Sequence, residues 1–229
     1  MSDAPAKLTV DGLELTLIRS DRRSLSLQLT ADGEVVARAP RRMSEKRVVA
    51  FVREKRGWIE EKQALARKRD ALYAPVELKD GAALPYLGGS LTLRFTRVRA
   101  PKREGETLLL PPGADEETLR RWLREEARSL IEPRAASYAS LMGLEYAAIR
   151  ITSAQTRWGS CSGKNSLNFT WRLAMCAPEA IDYVVVHELS HIRHKDHSRA
   201  FWALVERWCP DWRTQRQWLR DHRKLMEIL

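Results

Sequence analysis

The chain has 229 residues, enough for one large domain or two small ones, and its 44% apolar residues with eight tryptophans can build a substantial core. Lysine and arginine outnumber aspartate and glutamate by 40 to 30, so a surface with a net charge of +10 would attract polyanions, nucleic acid among them. The three cysteines, Cys161, Cys176 and Cys209, have no paired spacing, which argues against a disulfide framework and for a reducing compartment. Without a signal-peptide pattern or an apolar run near 20 residues, we expect a soluble, cytoplasmic protein with no membrane partner.

Alternating apolar residues predict strands at 13–17 and 25–29 and another beginning at residue 35. The Ala-Asp-Gly sequence at 31–33 is typical of a hairpin turn. Ser44 is expected to cap a helix from Glu45 to about Leu72, in which Gly57 would weaken or kink the structure. The polar face of this helix region carries the densest basic cluster of the chain: Arg41, Arg42, Lys46, Arg47, Arg53, Lys55 and Arg56.

Residues 73–113 predict a second β segment, with strands at Leu91–Phe95 and Thr107–Leu110 and a loop at Pro101–Gly105. The Pro-Pro-Gly sequence that follows suggests a domain boundary at residue 113. Residues 1–113 would then form an N-terminal β/α region, whose role in substrate recognition the sequence leaves open. Residues 114–229 would form the second domain.

The second domain begins with a predicted helix from Asp115, its N-cap, to about Met142, with Gly143 as the stop and a kink at Pro133. The elements expected after it are a strand at 149–152, a turn at 156–163, a strand at 167–173, a helix from Pro178, and helices at 198–208 and 211–227. This mixture predicts the α+β fold class.

One short segment of this domain holds most of the candidate chemistry. Four of the five histidines lie within residues 187–197, which begin with His-Glu-Leu-Ser-His. Residues four apart on a helix share a face about 6 Å apart along the axis, so His187 and His191 can converge on one metal ion. Glu188 is offset by about 100° and can reach a metal-bound water. The His-Glu-x-x-His pattern also occurs on exposed polar helices, but the preceding apolar run Tyr183–Val186 indicates a buried helix.

A catalytic zinc takes three protein ligands and keeps one position open. His194 is a poor third ligand, because a continuous helix would carry it about 10 Å along the axis from His187. The third ligand is therefore expected from chain that has left the helix. His197 meets this condition if the helix ends around Arg193–Lys195 and the chain doubles back. Asp196 is the alternative ligand, although it also fits the N-cap of the next helix.

Further motifs accompany this segment. They are Arg157-Trp158-Gly159-Ser160-Cys161-Ser162, Phe51-Val52 with Trp58-Ile59, Pro85-Tyr86-Leu87-Gly88, and His197-Ser198 followed by Phe201-Trp202. Together with the His-Glu-x-x-His segment, they resemble the YgjP-like zinc metallopeptidases, relatives of the SprT and WLM proteases in the zincin group. The resemblance covers nearly the whole chain.

The resemblance implies a zincin-like catalytic domain in which the His-Glu-x-x-His helix lies under a small sheet. It implies one Zn²⁺ per chain, with His187, His191 and His197 as zinc ligands and Glu188 as general base. The spacing of the three histidines is also that of the metzincins. Metzincins have glycine where this chain has His194, to allow the turn toward the third ligand, so this departure argues against membership of that group.

The expected activity is that of a zinc metalloendopeptidase acting on protein or peptide substrates. Zinc would lower the pKa of its bound water to about 7, and Glu188 would take the proton and later return it to the leaving amine. Arg157 and Ser160 are candidates for transition-state or substrate contacts, and structural roles fit them equally well. The side chain of His194 is expected either to be exposed or to contact the metal ligands or the substrate.

Two other functional classes compete with this one. The net charge and the basic cluster also fit a nucleic-acid-associated protein, including a protease acting on DNA-bound proteins, although the chain has no known nucleic-acid-binding motif. The third possibility is a zinc protein without catalysis that serves as a scaffold. Glu188 beside three histidines argues against it, because a structural zinc site would close with a fourth ligand.

Overall fold

The computed structural model describes residues 5–30, 33–72 and 75–229. Residue contacts divide the chain into two compact units, Met1–Leu72 and Tyr73–Leu229. Each unit has its own buried apolar cluster, so each is described separately. The hairpin turn predicted at 31–33 falls on residues 31 and 32, which lie outside the described part of the chain.

The first unit combines a sheet with two helices. Its elements are β1 (Ala6–Val10), β2 (Leu13–Ser20), β3 (Ser26–Leu29), β4 (Val35–Pro40), α1 (Glu45–Glu54) and α2 (Arg56–Leu72). The strand order is β1-β2-β4-β3, in which β2 and β4 are parallel and the other pairs antiparallel. The predicted strands β2, β3 and β4 are confirmed, whereas β1 was not predicted from the sequence.

The single helix predicted from Glu45 to Leu72 is wrong, because the helix is interrupted at Lys55 and not at Gly57. The interruption is local. The backbone N–H of Lys55 still donates to the carbonyl of Phe51, and the carbonyl of Lys55 accepts from the N–H of Ile59. Ser44 occupies the predicted N-cap position, but its side chain makes no capping hydrogen bond.

The second unit is larger and holds two small sheets and four helices. Its strands are β5 (Ala83–Tyr86), β6 (Gly89–Phe95), β7 (Lys102–Glu104), β8 (Thr107–Leu110), β9 (Ala148–Thr152), β10 (Gly159–Cys161) and β11 (Ser166–Thr170). Its helices are α3 (Glu116–Met142), α4 (Pro178–Arg193), α5 (Arg199–Trp208) and α6 (Trp212–Asp221), with 3-10 helices at Trp171–Met175 and Arg223–Met226. The sheet orders are β5-β6-β8-β7 and β10-β11-β9.

The observed units divide after Leu72, whereas the sequence suggested a boundary at residue 113. The reason is the core of the second unit. Leu84, Leu93 and Leu108, from the first sheet, are fully buried in the same apolar cluster as residues of α3 and α4. The predicted loop at 101–105 is also wrong, because its centre forms β7, an exposed strand that pairs with β8.

Helix α3 confirms its predicted ends. The Asp115 side chain accepts a hydrogen bond from the N–H of Thr118 at 2.8 Å, which satisfies a free donor of the first turn. Gly143 ends the helix with φ of 62°, a left-handed conformation that glycine adopts without steric cost. The helix runs uninterrupted through Pro133.

The sheet β10-β11-β9 differs from its prediction in two places. The strand expected at 167–173 ends at Thr170, because Trp171 begins a fully buried 3-10 helix. The turn expected at 156–163 contains the strand β10, which forms one edge of the sheet and pairs antiparallel with β11. Helix α4 packs against β10. Within the described ranges, no helix is both long and apolar enough to cross a membrane.

Candidate metal centre

Helix α4 carries the candidate ligands because its sequence fixes where it begins, packs and ends. Pro178 occupies the first turn, where the missing N–H is tolerated. The residues Val184–Val186 and Leu189 are buried in the core and anchor the helix. The helix ends at Arg193, and His194 leaves it in an extended conformation, as the sequence predicted.

The chain then turns toward α5 through an ordered connection. Ser198 is the N-cap of α5, and its hydroxyl accepts from the N–H of Phe201 at 3.4 Å. The alternative assignment of Asp196 as this N-cap is therefore wrong. Asp196 instead accepts a hydrogen bond from the N–H of Ser198 at 3.1 Å. His197 lies between these two residues and faces back toward α4, since its ring centroid is 5.2 Å from that of His187.

The three predicted ligands come together. One nitrogen from each of His187, His191 and His197 lies within 4.8 Å of the others, and Nε2 of His187 is 3.3 Å from Nε2 of His197. Zn–N bonds of about 2.0–2.1 Å put two tetrahedral nitrogen ligands about 3.3–3.4 Å apart, so this spacing fits a metal. The buried ring of Phe201 supports all three imidazoles, with centroid distances between 4.5 and 4.9 Å.

The protonation of His187 and His191 also fits metal binding, because only a neutral imidazole can be a ligand. Burial, together with the neighbouring His191 and His197, lowers the pKa of His187 to about 3. The Nδ1 of His191 lies 2.9 Å from the carbonyl oxygen of His194. A carbonyl only accepts, so this Nδ1 carries the proton and Nε2 keeps a lone pair for a metal.

Glu188 lies beside the histidines in a closely packed position. Its side chain is only 5% exposed, and burial raises the pKa of its carboxyl group to about 8, while the positive charge of Arg157 opposes this rise. The packing depends on Gly159 of β10. A Cβ atom at Gly159 would lie 2.7 Å from both Cγ and Oε1 of Glu188. The strand and the carboxyl group therefore fit together only because residue 159 has no side chain.

The other predicted site residues, Arg157, Ser160 and His194, differ in how they are placed relative to the histidine cluster. Arg157 is exposed and lines a cleft with His187 and Glu188. Ser160 faces the opposite side of β10 from Gly159, because adjacent residues of a strand alternate between its two faces. The hydroxyl of Ser160 accepts a hydrogen bond from Nδ2 of Asn168 at 3.4 Å. The structure does not bring Ser160 to the histidines. The backbone carbonyl of His194 accepts a hydrogen bond from His191, and the side chain of His194 has no part in this contact.

The cleft beside Glu188 contains residues that sequence reasoning missed. It has a volume of about 360 Å³, and its walls include Tyr183 of α4 and three arginines from the end of the chain, Arg216, Arg220 and Arg223. Arg216 and Arg220 are four residues apart on α6 and so share a face. This spacing is the sequence signal that could have pointed to them. In the sequence, they are indistinguishable from the other basic residues of a solvated helix.

Three histidines whose nitrogens converge beside a buried carboxyl group, on a mixed α+β framework, are the arrangement expected of a metal-dependent hydrolase. The particular family follows from comparison with known proteins. A family model described as the YgjP-like metallopeptidase domain matches residues 23–222. The chain therefore belongs to the YgjP-like metallopeptidase family, which makes it a hydrolase expected to use a metal ion. No curated protein and no solved structure shows significant similarity to it.

Proposed function

We propose that this protein is a zinc-dependent endopeptidase, with one Zn²⁺ per chain held by His187, His191 and His197. The observation that carries the proposal is the convergence of three histidine nitrogens within 4.8 Å beside the buried Glu188. This set leaves a coordination position open, as a catalytic zinc requires. A metal ion held by these histidines would supply Lewis acidity, the property that activates water at neutral pH and polarises a carbonyl group.

Glu188 is the general base in this proposal. Its carboxylate takes a proton from the attacking water and returns it to the nitrogen of the leaving amine. The positive charge of Arg157 only partly opposes the effect of burial, which leaves the pKa of Glu188 raised to about 8. A metal cation held by the three histidines would favour the charged carboxylate further. The carbonyl of His194 holds the imidazole of His191 in one tautomer and orientation, so the ligand set is organised before a substrate arrives.

The edge strand β10 is the proposed guide for the peptide. The two residues that flank β10 are hydrogen-bonded to β11: Ser162 donates its N–H to the carbonyl of Ser166, and the carbonyl of Trp158 accepts from the N–H of Thr170. By the alternation of an antiparallel pair, the backbone groups of Gly159 and Cys161 point away from β11. An extended peptide bound along this edge by main-chain hydrogen bonds would pass next to Glu188.

The remaining expectations stay predictions. They are the zincin-like arrangement of α4 under the small sheet, the cytoplasmic location, and a substrate-recognition role for the N-terminal region. Association with nucleic acid is also a prediction, and no observation favours it over a protease. Several of the basic residues that motivated it are engaged with carboxylates at or near the surface: Arg41 with Asp21, Arg53 with Asp11, Lys55 with Glu54 and Arg56 with Glu60.

The test is zinc content together with casein hydrolysis, for wild type and three variants. We expect one zinc per chain in the wild type, none in His197→Ala, and one in Asp196→Ala, because Asp196 bonds to backbone and not to the cluster. Glu188→Gln should keep the metal and lose hydrolysis, since the amide cannot accept the proton. Wild-type protein that takes up no zinc at neutral pH, or an active Glu188→Gln protein, would refute the proposal.

A further inference from the structure

The cleft beside Glu188 is lined by more positive charge than the catalytic proposal uses. Arg157 comes from the segment before β10, Arg216 and Arg220 from α6, and Arg223 from the 3-10 helix after it. Four separate arginines thus converge on about 360 Å³ of space. This volume is at the low end of ligand pockets, so it suits a single side chain or a chain end better than a long segment.

The charge in the cleft is not neutralised locally. Glu188 is the only carboxyl group among the described residues that line it. Among the described residues, the ion pairs involve other basic residues than these four arginines, for example Arg213 with Glu206 and Arg134 with Asp182. Tyr183 adds a phenolic hydroxyl group to the wall. An anion entering the cleft would therefore meet four guanidinium groups, against the single carboxyl group of Glu188.

The arginines share the cleft with groups of the candidate metal centre. His187 and Glu188 line the same space as Arg157 and Arg216. The Arg216 guanidinium also lies 5.1 Å from the ring centroid of Trp202, which in turn lies 5.7 Å from that of His197. The cleft is thus continuous with the reaction centre and is not a separate surface patch.

We propose that this arginine-lined cleft binds a carboxylate of the substrate next to the bond that is cleaved. The proposal rests on the proposed peptidase function and adds a substrate class to it. Guanidinium groups match carboxylates in charge and in fork-like geometry. The carboxylate is either an aspartate or glutamate side chain beside the cleaved bond, which fits an endopeptidase, or the C-terminal carboxylate of a short peptide, which would make the protein a carboxypeptidase.

Cleavage of matched peptides by the zinc-loaded, full-length protein tests the proposal. Mass spectrometry of a digested mixed-sequence peptide library first identifies cleaved sequences. For these sequences, kcat/KM is then compared between glutamate and glutamine at each position flanking the cleaved bond, and between free and amidated C-termini. We expect the charged member of one pair to be cleaved about tenfold faster or more. The pair that shows the effect identifies the source of the carboxylate.

Charge reversal separates recognition from stability. Arg220→Glu should remove the preference for a carboxylate and favour a lysine peptide, whereas Arg213→Glu, on the same helix but outside the cleft, should keep the wild-type preference. Arg223→Gln provides a milder second variant that should reduce the preference. Zinc content and thermal unfolding accompany each variant.

The possible failures are distinguishable. Equal cleavage of both members of every pair would overturn the carboxylate proposal and leave the peptidase function intact. A wild-type preference that persists in Arg220→Glu and Arg223→Gln would overturn it as well. Zinc-loaded wild type that cleaves no library peptide would overturn the peptidase function and, with it, the substrate class.

Discussion

Gly159 illustrates how a single residue can determine the position of a catalytic group without touching the substrate through a side chain. The side chain of Glu188 occupies the space in which a Cβ atom of residue 159 would lie, with its Cγ and Oε1 atoms only 2.7 Å from that point. Because Glu188 is 5% exposed, it has little free space into which it could move. Any side chain at position 159 would therefore displace the general base or push β10 away from α4.

We predict that Gly159→Ala lowers kcat about 100-fold, because a displacement of about 1 Å in a reacting group has an effect of this size. Zinc content should stay at one per chain, since no ligand is touched, and KM should change little. The matched control is Gly163→Ala, in the same segment, where an added Cβ would meet nothing within 4 Å. A similar loss of kcat in both variants would contradict the positioning role.

The residues of the candidate site differ in how well the sequence reveals them. His187, Glu188 and His191 are predictable because helical periodicity alone brings them together. The cleft arginines are not, because Arg157 and Arg220 are far apart in the chain and meet only through tertiary packing. The role of Gly159 is not predictable for another reason: the side chain of Glu188, from a different element, occupies the space where a Cβ atom of residue 159 would lie.

At the scale of elements, the third histidine depends on the cap of α5. His197 immediately precedes Ser198, whose hydroxyl bonds to the N–H of Phe201, and the ring of Phe201 supports all three imidazoles. The same cap therefore fixes the start of the helix and the position of a candidate ligand. An N-cap elsewhere in the molecule, such as Asp115 on α3, fixes only its own helix.

We predict that Ser198→Ala weakens zinc binding about tenfold, whereas Asp115→Ala leaves it unchanged. Both substitutions remove an N-cap side chain and should lower the free energy of unfolding by about 1 kcal/mol. The comparison therefore separates loss of stability from loss of ligand position. Competition with a chelator measures the zinc affinity, and urea unfolding measures the stability. Equal effects of the two variants on zinc affinity would argue that the cap of α5 has no special role.

The elements themselves follow from the sequence where a long pattern specifies them. Helix α3 has an aspartate N-cap and a glycine stop, and α4 begins at a proline, so the bounds of these long helices are predictable. Strand β10 has three residues, too few for an alternating pattern, and the glycine and serine in it are typical of turns. It becomes a strand because β11 and α4 provide partners on two sides, which is information that the local sequence does not contain.

At the scale of the whole molecule, the candidate site belongs to one unit. Every residue of the histidine cluster and of the arginine-lined cleft lies within Tyr73–Leu229. This unit has its own apolar core, to which strands β5, β6 and β8 contribute leucines. The family match nevertheless begins at residue 23, so most of the first unit is also part of the shared family sequence. The two facts fit a protein in which the second unit carries the candidate catalytic site and the first unit has another role, such as the predicted substrate recognition.

We predict that residues 73–229, produced alone, fold and bind one zinc with an affinity close to that of the full chain. The physical reason is that the ligands, the Phe201 support and the buried core are all internal to this unit. Cooperative thermal unfolding and zinc titration measure the outcome. If the first unit recognises protein substrates, this fragment should still cleave short peptides while losing activity toward casein. A fragment that does not unfold cooperatively, or that binds no zinc while the full chain does, would mean that residues 1–72 are needed to build the site.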